Sequence, residues 1–275
     1  MAFNLNSITN SSDGDKPPRI VIYGTSGIGK SSFGAAAPNP IFIPTEDGAA
    51  ALSVPTFPLI REWTNAEGTG MANAFDVLAG EPHQFQTVVL DSADWTENIL
   101  KEQVAKDHGI KVYDTNHKAL SYGRGPRAVE EYWRKMCDSF NYLRDARGMG
   151  CIIIAHSLVK RFDDPTTEAY DRYQLDLMKD SAAVLTEWAD IVLFANKQTT
   201  VIEEKVGVNG VKKRGVGPDE RLMFTTETAA YKAKSRWSIP ARLPLSYPVL
   251  MQEIAAAKAR IAEARNPAPA QPVAA

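Results

Sequence analysis

The run Ile20-Val21-Ile22-Tyr23, followed by Gly24-Thr25-Ser26-Gly27-Ile28-Gly29-Lys30-Ser31, constrains this chain more than any other stretch. Four apolar residues predict a buried strand. The eight after them match G-x-x-x-x-G-K-[ST], a glycine-rich turn whose Lys-Ser pair opens a helix. The chemistry needs that order. Glycines let successive backbone N–H groups curl around a polyphosphate, and the helix N-terminus adds partial positive charge. Lys30 then reaches the β/γ-phosphates, and the Ser31 hydroxyl ligates Mg²⁺. The predicted ligand is a nucleoside triphosphate, held by Gly24, Thr25, Ser26, Gly27, Ile28, Gly29, Lys30, Ser31 and Ser32.

Short apolar runs alternate with longer helical stretches over the rest of the chain. Strands are expected at 19–23, 41–44, 87–90, 151–155 and 191–195, and helices at 30–37, 73–79, 95–107, 127–145 and 181–188. Strands that are apolar almost throughout belong in a sheet covered on both faces, so the fold class is α/β with a mostly parallel central sheet. Residues 199–221 and then 222–234 read as a C-terminal β-hairpin with a basic turn around Asn209-Gly210 and Lys212-Lys213-Arg214. Leu250, Ile254 and Ile261 share one stripe, which predicts a closing helix over 249–265.

A length of 275 residues suits one large domain with appendages, and 44% hydrophobic content can build its core. No apolar stretch approaches the roughly 18 residues of a membrane helix, so no membrane partner is expected. The polar N-terminus has no apolar signal core, and Cys137 and Cys151 form no C-x-x-C pair, which together point to a reduced, cytoplasmic protein. The net charge of −2 is unevenly spread: 41–100 carries nine acidic residues against Arg61 alone, and 205–242 carries nine basic against three acidic. A basic stripe of that kind leaves room for an anionic polymer as partner.

A P-loop calls for an acidic residue at the end of a second strand, and Thr87-Val88-Val89-Leu90-Asp91 supplies it. Asp91 is the expected metal residue beside Ser31; Asp94, past the strand end, is read as a cap of the next helix. The strand 41–44 runs out into Thr45-Glu46-Asp47-Gly48, so Glu46 is the expected general base, with Asp47 as its alternative. The strand 151–155 ends at His156, on the same rim as the P-loop. The segment 157–180, with Lys160, Arg161, Phe162, Arg172 and Tyr173, and the segment 111–127, with Lys118, Arg124 and Arg127, read as loops. Cations interleaved with aromatic rings suit single-stranded nucleic acid, for phosphates and for base stacking respectively.

This order of parts resembles the RecA-like P-loop NTPase core. Within it the chain is most similar to the phage nucleotide-binding proteins that include the short ATP-dependent single-strand annealing recombinases. The residues carrying the resemblance are Gly24–Ser31, Thr45-Glu46-Asp47-Gly48, Val88–Ser92, Tyr122-Gly123-Arg124-Gly125, Ile152–Ser157 and Lys232-Ala233-Lys234-Ser235-Arg236. It implies an ATPase using ATP and Mg²⁺, with Glu46 as catalytic glutamate and His156 where the family places a Gln sensor. The two loops would bind single-stranded DNA, and Lys232, Lys234 or Arg236 would reach a neighbour's γ-phosphate. That in turn implies a homo-oligomer, ring or filament, in the host cytoplasm, with a single-strand DNA-binding protein as a further partner. The implied organisation is a flexible tail over 1–16, the RecA-like core over 17–247, a C-terminal helix over 248–265 and a disordered Pro/Ala tail over 266–275.

Rival readings share the P-loop. Asn196-Lys197-Gln198-Thr199 lacks the Asp by which a GTPase would read guanine, and 157–180 is poor in arginine for a small-molecule kinase lid. A nucleotide-gated, non-catalytic assembly factor is the third alternative.

Overall fold

A computed structural model of the chain describes residues 16–48, 52–163, 168–197, 200–206, 210–216 and 220–265, with 200–216 taken at the level of the backbone. Strand β1 (Arg19–Gly24) is central. To one side lie β4 (Gly150–Phe162), β3 (Thr87–Asp91) and β2 (Pro40–Pro44), all parallel; to the other lies parallel β6 (Ile191–Lys197). Antiparallel β9 (Arg221–Phe224) and β11 (Arg242–Pro244) extend the sheet beyond β6, and the two-residue β10 (Lys234–Ser235) pairs with the start of β6. The mostly parallel α/β architecture anticipated from the apolar runs is the one the chain has.

Side chains alternate across each strand, so the sheet feeds two cores. Val21, Tyr23, Val88, Leu90, Ile153 and Phe194 face helices α2 (Met71–Gly80), α3 (Ala93–Asp107), α4 (Arg124–Arg147) and α5 (Lys179–Trp188). Ile20, Ile22, Val89, Ile154 and Leu193 face α1 (Lys30–Ala35) and α6 (Tyr247–Arg265). Fully burying one such side chain contributes about 1.5–3 kcal/mol, which is why strands this apolar settle in the middle of the layers. The closing helix is set by Leu250 and Ile254, both buried; Ile261, assigned to the same stripe, is 44% exposed. Cys137 and Cys151 are free and buried.

One expectation is corrected. The segment 157–180 is not an irregular loop. From Ser157 to Phe162, β4 runs on beyond the sheet and pairs antiparallel with β5 (Tyr170–Leu175). Cross-strand pairs running from Ser157 with Leu175 to Phe162 with Tyr170 carry this extension. The C-terminal hairpin is present. Strands β7 (Thr200–Val206) and β8 (Gly210–Val216) form a separate two-stranded arm, while the following strand returns to the main sheet beside β6. The turn expected at Asn209 lies outside the described residues. Lys16 pairs with Asp145 at 2.8 Å at the surface. The tails at 1–15 and 266–275 lie outside the described residues.

Candidate nucleotide site

The site forms where the parallel strands end. Gly24 closes β1 tightly against β6: a Cβ there would lie 2.2 Å from the Ala195 carbonyl oxygen. The turn that follows enters α1 through Gly29 at φ 109°, a conformation that glycine takes without the strain a Cβ imposes. Lys30, 5% exposed, donates from Nζ to the carbonyl oxygens of Gly24 and Thr25, each at 3.0 Å. Burial pushes its ammonium pKa down, opposed by Asp91, Asp94 and Glu46.

One residue on, Ser31 Oγ donates to Asp91 Oδ2 at 2.7 Å, joining residues from α1 and β3. Asp91 is buried, which raises its carboxyl pKa against the pull of Ser31 and Lys30, and its second oxygen, Oδ1, is buried with no hydrogen-bond partner among the described residues. A hydroxyl and a carboxylate at this spacing, with an unsatisfied oxygen beside them, fit Mg²⁺, which takes oxygen ligands from few protein groups and shares the phosphates. The glycine turn beside them fits the phosphates themselves. When bound, the metal offsets charge on the β and γ oxygens.

Glu46 is presented by a well-held strand end. The neighbouring Thr45 is locked by its own N–H to the Asp91 carbonyl at 2.8 Å, by its hydroxyl to the Ser92 carbonyl at 2.8 Å, and by the Ser92 N–H to Thr45 Oγ1 at 2.9 Å. Burial raises the Glu46 carboxyl pKa, with His156 as the largest opposing influence. A raised carboxyl is better matched to proton abstraction near neutrality. Asp47 lines the same cleft, so the geometry brings both carboxylates to the phosphate side.

Asp94 does something the sequence reading missed. It sits in the first turn of α3 and reaches across to β4 rather than capping its own helix. Its Oδ1 accepts the His156 backbone N–H at 3.1 Å, and Oδ2 lies 3.0 Å from His156 Nδ1. Those hydrogen bonds raise the His156 pKa. For Asp94, burial pushes the carboxyl up, but the bonds from His156 outweigh it and hold the pKa below the ordinary value.

Ser26, Gly27, Gly29, Lys30, Ser31, Ser32, Glu46, Asp47, Gly48, Asp91, His156 and Arg221 thus line one cleft of about 410 Å³. Arg221 is the other residue that sequence reasoning missed. It opens β9, far from the P-loop in sequence, and no local pattern ties it to Ser31.

Lys234 and Arg236 are not brought to this cleft. They lie by the start of β6, level with Arg19, at the opposite end of β1 from Gly24. Lys234 Nζ donates to the Thr186 and Glu187 carbonyls at the end of α5, and Arg236 Nε pairs with buried Asp190 at 3.2 Å.

Among the nucleic-acid candidates, Lys118, Arg124, Arg127, Lys160 and Arg161 are exposed, and Phe162 is half-buried. Arg172 and Tyr173, neighbours on β5 and so on opposite faces of it, both have packing partners within the protein. Arg172 is 8% exposed, pairs with Glu227 and lies 5.3 Å from the centroid of the Phe162 ring. Tyr173 packs on Phe194 at 5.0 Å and donates its N–H to the Ala230 carbonyl.

Residues 16–237 match the family model described as AAA domain. The chain belongs to that AAA-domain family. A cleft built on a P-loop accords with an AAA-type ATPase domain. No curated protein matches the chain. Among solved structures, the crystal structure of the RadB recombinase is similar over 77% of this chain and 81% of that one, at 13% identity and a TM-score of 0.40. No helix among the described residues of the AAA-domain protein is long and apolar enough to cross a membrane.

Proposed function

We propose that this AAA-domain protein is a RecA-like ATPase acting on single-stranded DNA, with single-strand annealing of the phage type as its task. Glu46 serves as the general base for the attacking water, and His156 senses the γ-phosphate. The observation supporting this reading is the continuity of β4. One strand carries His156 at the nucleotide cleft and, four and five residues on, exposed Lys160 and Arg161. At about 3.3 Å per residue, that is roughly 13–17 Å from nucleotide to the cations offered to DNA. Lys118, Arg124 and Arg127 are further exposed cations assigned to DNA in the same reading. Head-to-tail assembly into a ring or filament, and contact with a single-strand DNA-binding protein, belong to the same reading.

ATPase rate measured with and without single-stranded DNA tests it. Stimulation is expected, together with binding that weakens steeply with salt as counterions are released. ATP turnover indifferent to DNA, with no detectable DNA binding at low salt, would overturn the DNA role and return the protein to the kinase class.

A further inference from the structure

We propose that Arg221 is a polyphosphate-binding residue of the nucleotide cleft, acting within its own chain. The inference rests on the reading of that cleft as an ATP site and extends it to a residue outside the P-loop region.

Three observations lead there. Arg221 lines the cleft together with Gly27, Gly29, Lys30 and Ser31. Its guanidinium leans directly over the P-loop: Nη1 lies 3.1 Å from the point where a Cβ on Gly29 would stand. A side chain at Gly29 would push it away, so the bare backbone serves the arginine as well as the turn. Its main chain is fixed by pairing with Lys197 across β6 and by accepting the Leu245 N–H at 2.9 Å.

The guanidinium itself makes no ion pair and no hydrogen bond among the described residues, although it is aimed into a site built for anions. The other late cations are engaged elsewhere: Lys234 holds the end of α5 and Arg236 holds Asp190. Phosphoryl transfer gains from an extra cation on the transferring oxygens, and arginine's planar fork matches two phosphate oxygens at once. Arg221 is the cation that the fold delivers to this place, from the edge of the sheet nearest Gly29.

Titration of the full chain with a fluorescent ATP analogue, with ATP, ADP and AMP as competitors, tests the proposal. Arg221→Ala is expected to raise the Kd of ATP and ADP about tenfold or more, the scale of a charge-assisted hydrogen bond. AMP should be little affected, and Arg221→Lys should fall between. The thermal midpoint without nucleotide should be unchanged, because the guanidinium supports nothing in the fold. Lys30→Ala, run alongside, separates the two layers of argument. If it loses ATP while Arg221→Ala binds like the parent, the proposal fails and the cleft reading stands. If ATP binds neither parent nor variant, or binds all three alike, the cleft reading fails and the proposal with it. An equal loss for AMP would mean that Arg221 reads sugar or base, and overturns the polyphosphate role. Mixing Arg221→Ala with Lys30→Ala chains should give only the sum of their separate activities; recovery above that sum would overturn action within one chain.

Discussion

Asp94 grips His156 twice, accepting the backbone N–H with Oδ1 at 3.1 Å and facing ring Nδ1 with Oδ2 at 3.0 Å. A carboxylate only accepts, so Nδ1 carries the proton and Nε2 is the ring nitrogen left for other partners.

That grip makes stability depend on pH. The folded His156 pKa is raised above the ordinary histidine value of about 6.5, so its contribution is complete below about 6.5 and lost as pH rises through the folded value. The folded Asp94 pKa is lowered, so its contribution is present above about 3.9 and lost as pH falls through the folded value. The pair therefore stabilises most between those limits. Thermal midpoints measured from mildly acidic to alkaline pH should fall more steeply above about 6.5 in the parent than in Asp94→Asn. NMR titration should show the His156 pKa falling toward its ordinary value in that variant; an unchanged titration would dissolve the pair.

Glu46→Gln should keep ATP binding and drop hydrolysis at least ~10²-fold, the scale of a lost general base. Asp47→Asn should change turnover far less. Steady-state kinetics on the two variants decides between these neighbours, and the reverse ranking would move the base to Asp47.

Gly24→Ala should cost the protein its fold or most of its stability. The added Cβ meets a backbone carbonyl at 2.2 Å inside the sheet, where neither β1 nor β6 can give. Denaturant unfolding reads this directly, and a midpoint near that of the parent would show that the strands can part.

Lys160→Glu with Arg161→Glu should weaken single-stranded DNA binding and flatten its salt dependence, because two phosphate contacts are lost. Arg172→Ala should behave differently. It abandons Glu227 and the Phe162 ring inside the protein, so it should lower the thermal midpoint. Parallel binding and melting curves for the two variants would expose an exchange of roles.

The sheet was legible because its strands are buried on both faces and so apolar throughout, as in Ile20–Tyr23 and Cys151–Ala155. The P-loop, Asp91, Glu46 and His156 were legible because each stands at the end of such a strand, and parallel strands end on one rim. Beyond the sheet the signal was lost. Tyr170-Asp171-Arg172-Tyr173-Gln174-Leu175 has no strict alternation, its buried members Arg172 and Leu175 lying three apart, and its polar residues resembled a loop. Arg221 was hidden for another reason: nothing in linear order relates it to Gly29, and the contact exists only once β9 lies against β6.

The β7–β8 arm leaves the sheet at Lys197 and rejoins it at Arg221, and those two residues are already paired with each other. Topologically, then, the arm is a graft on a hairpin that closes without it. Replacing the whole excursion by a tight two-residue turn between those paired residues should therefore keep the strand order, as insertions at hairpin tips generally can be trimmed. The excursion is a place where the chain's length can change while the order of strands beneath it stays the same.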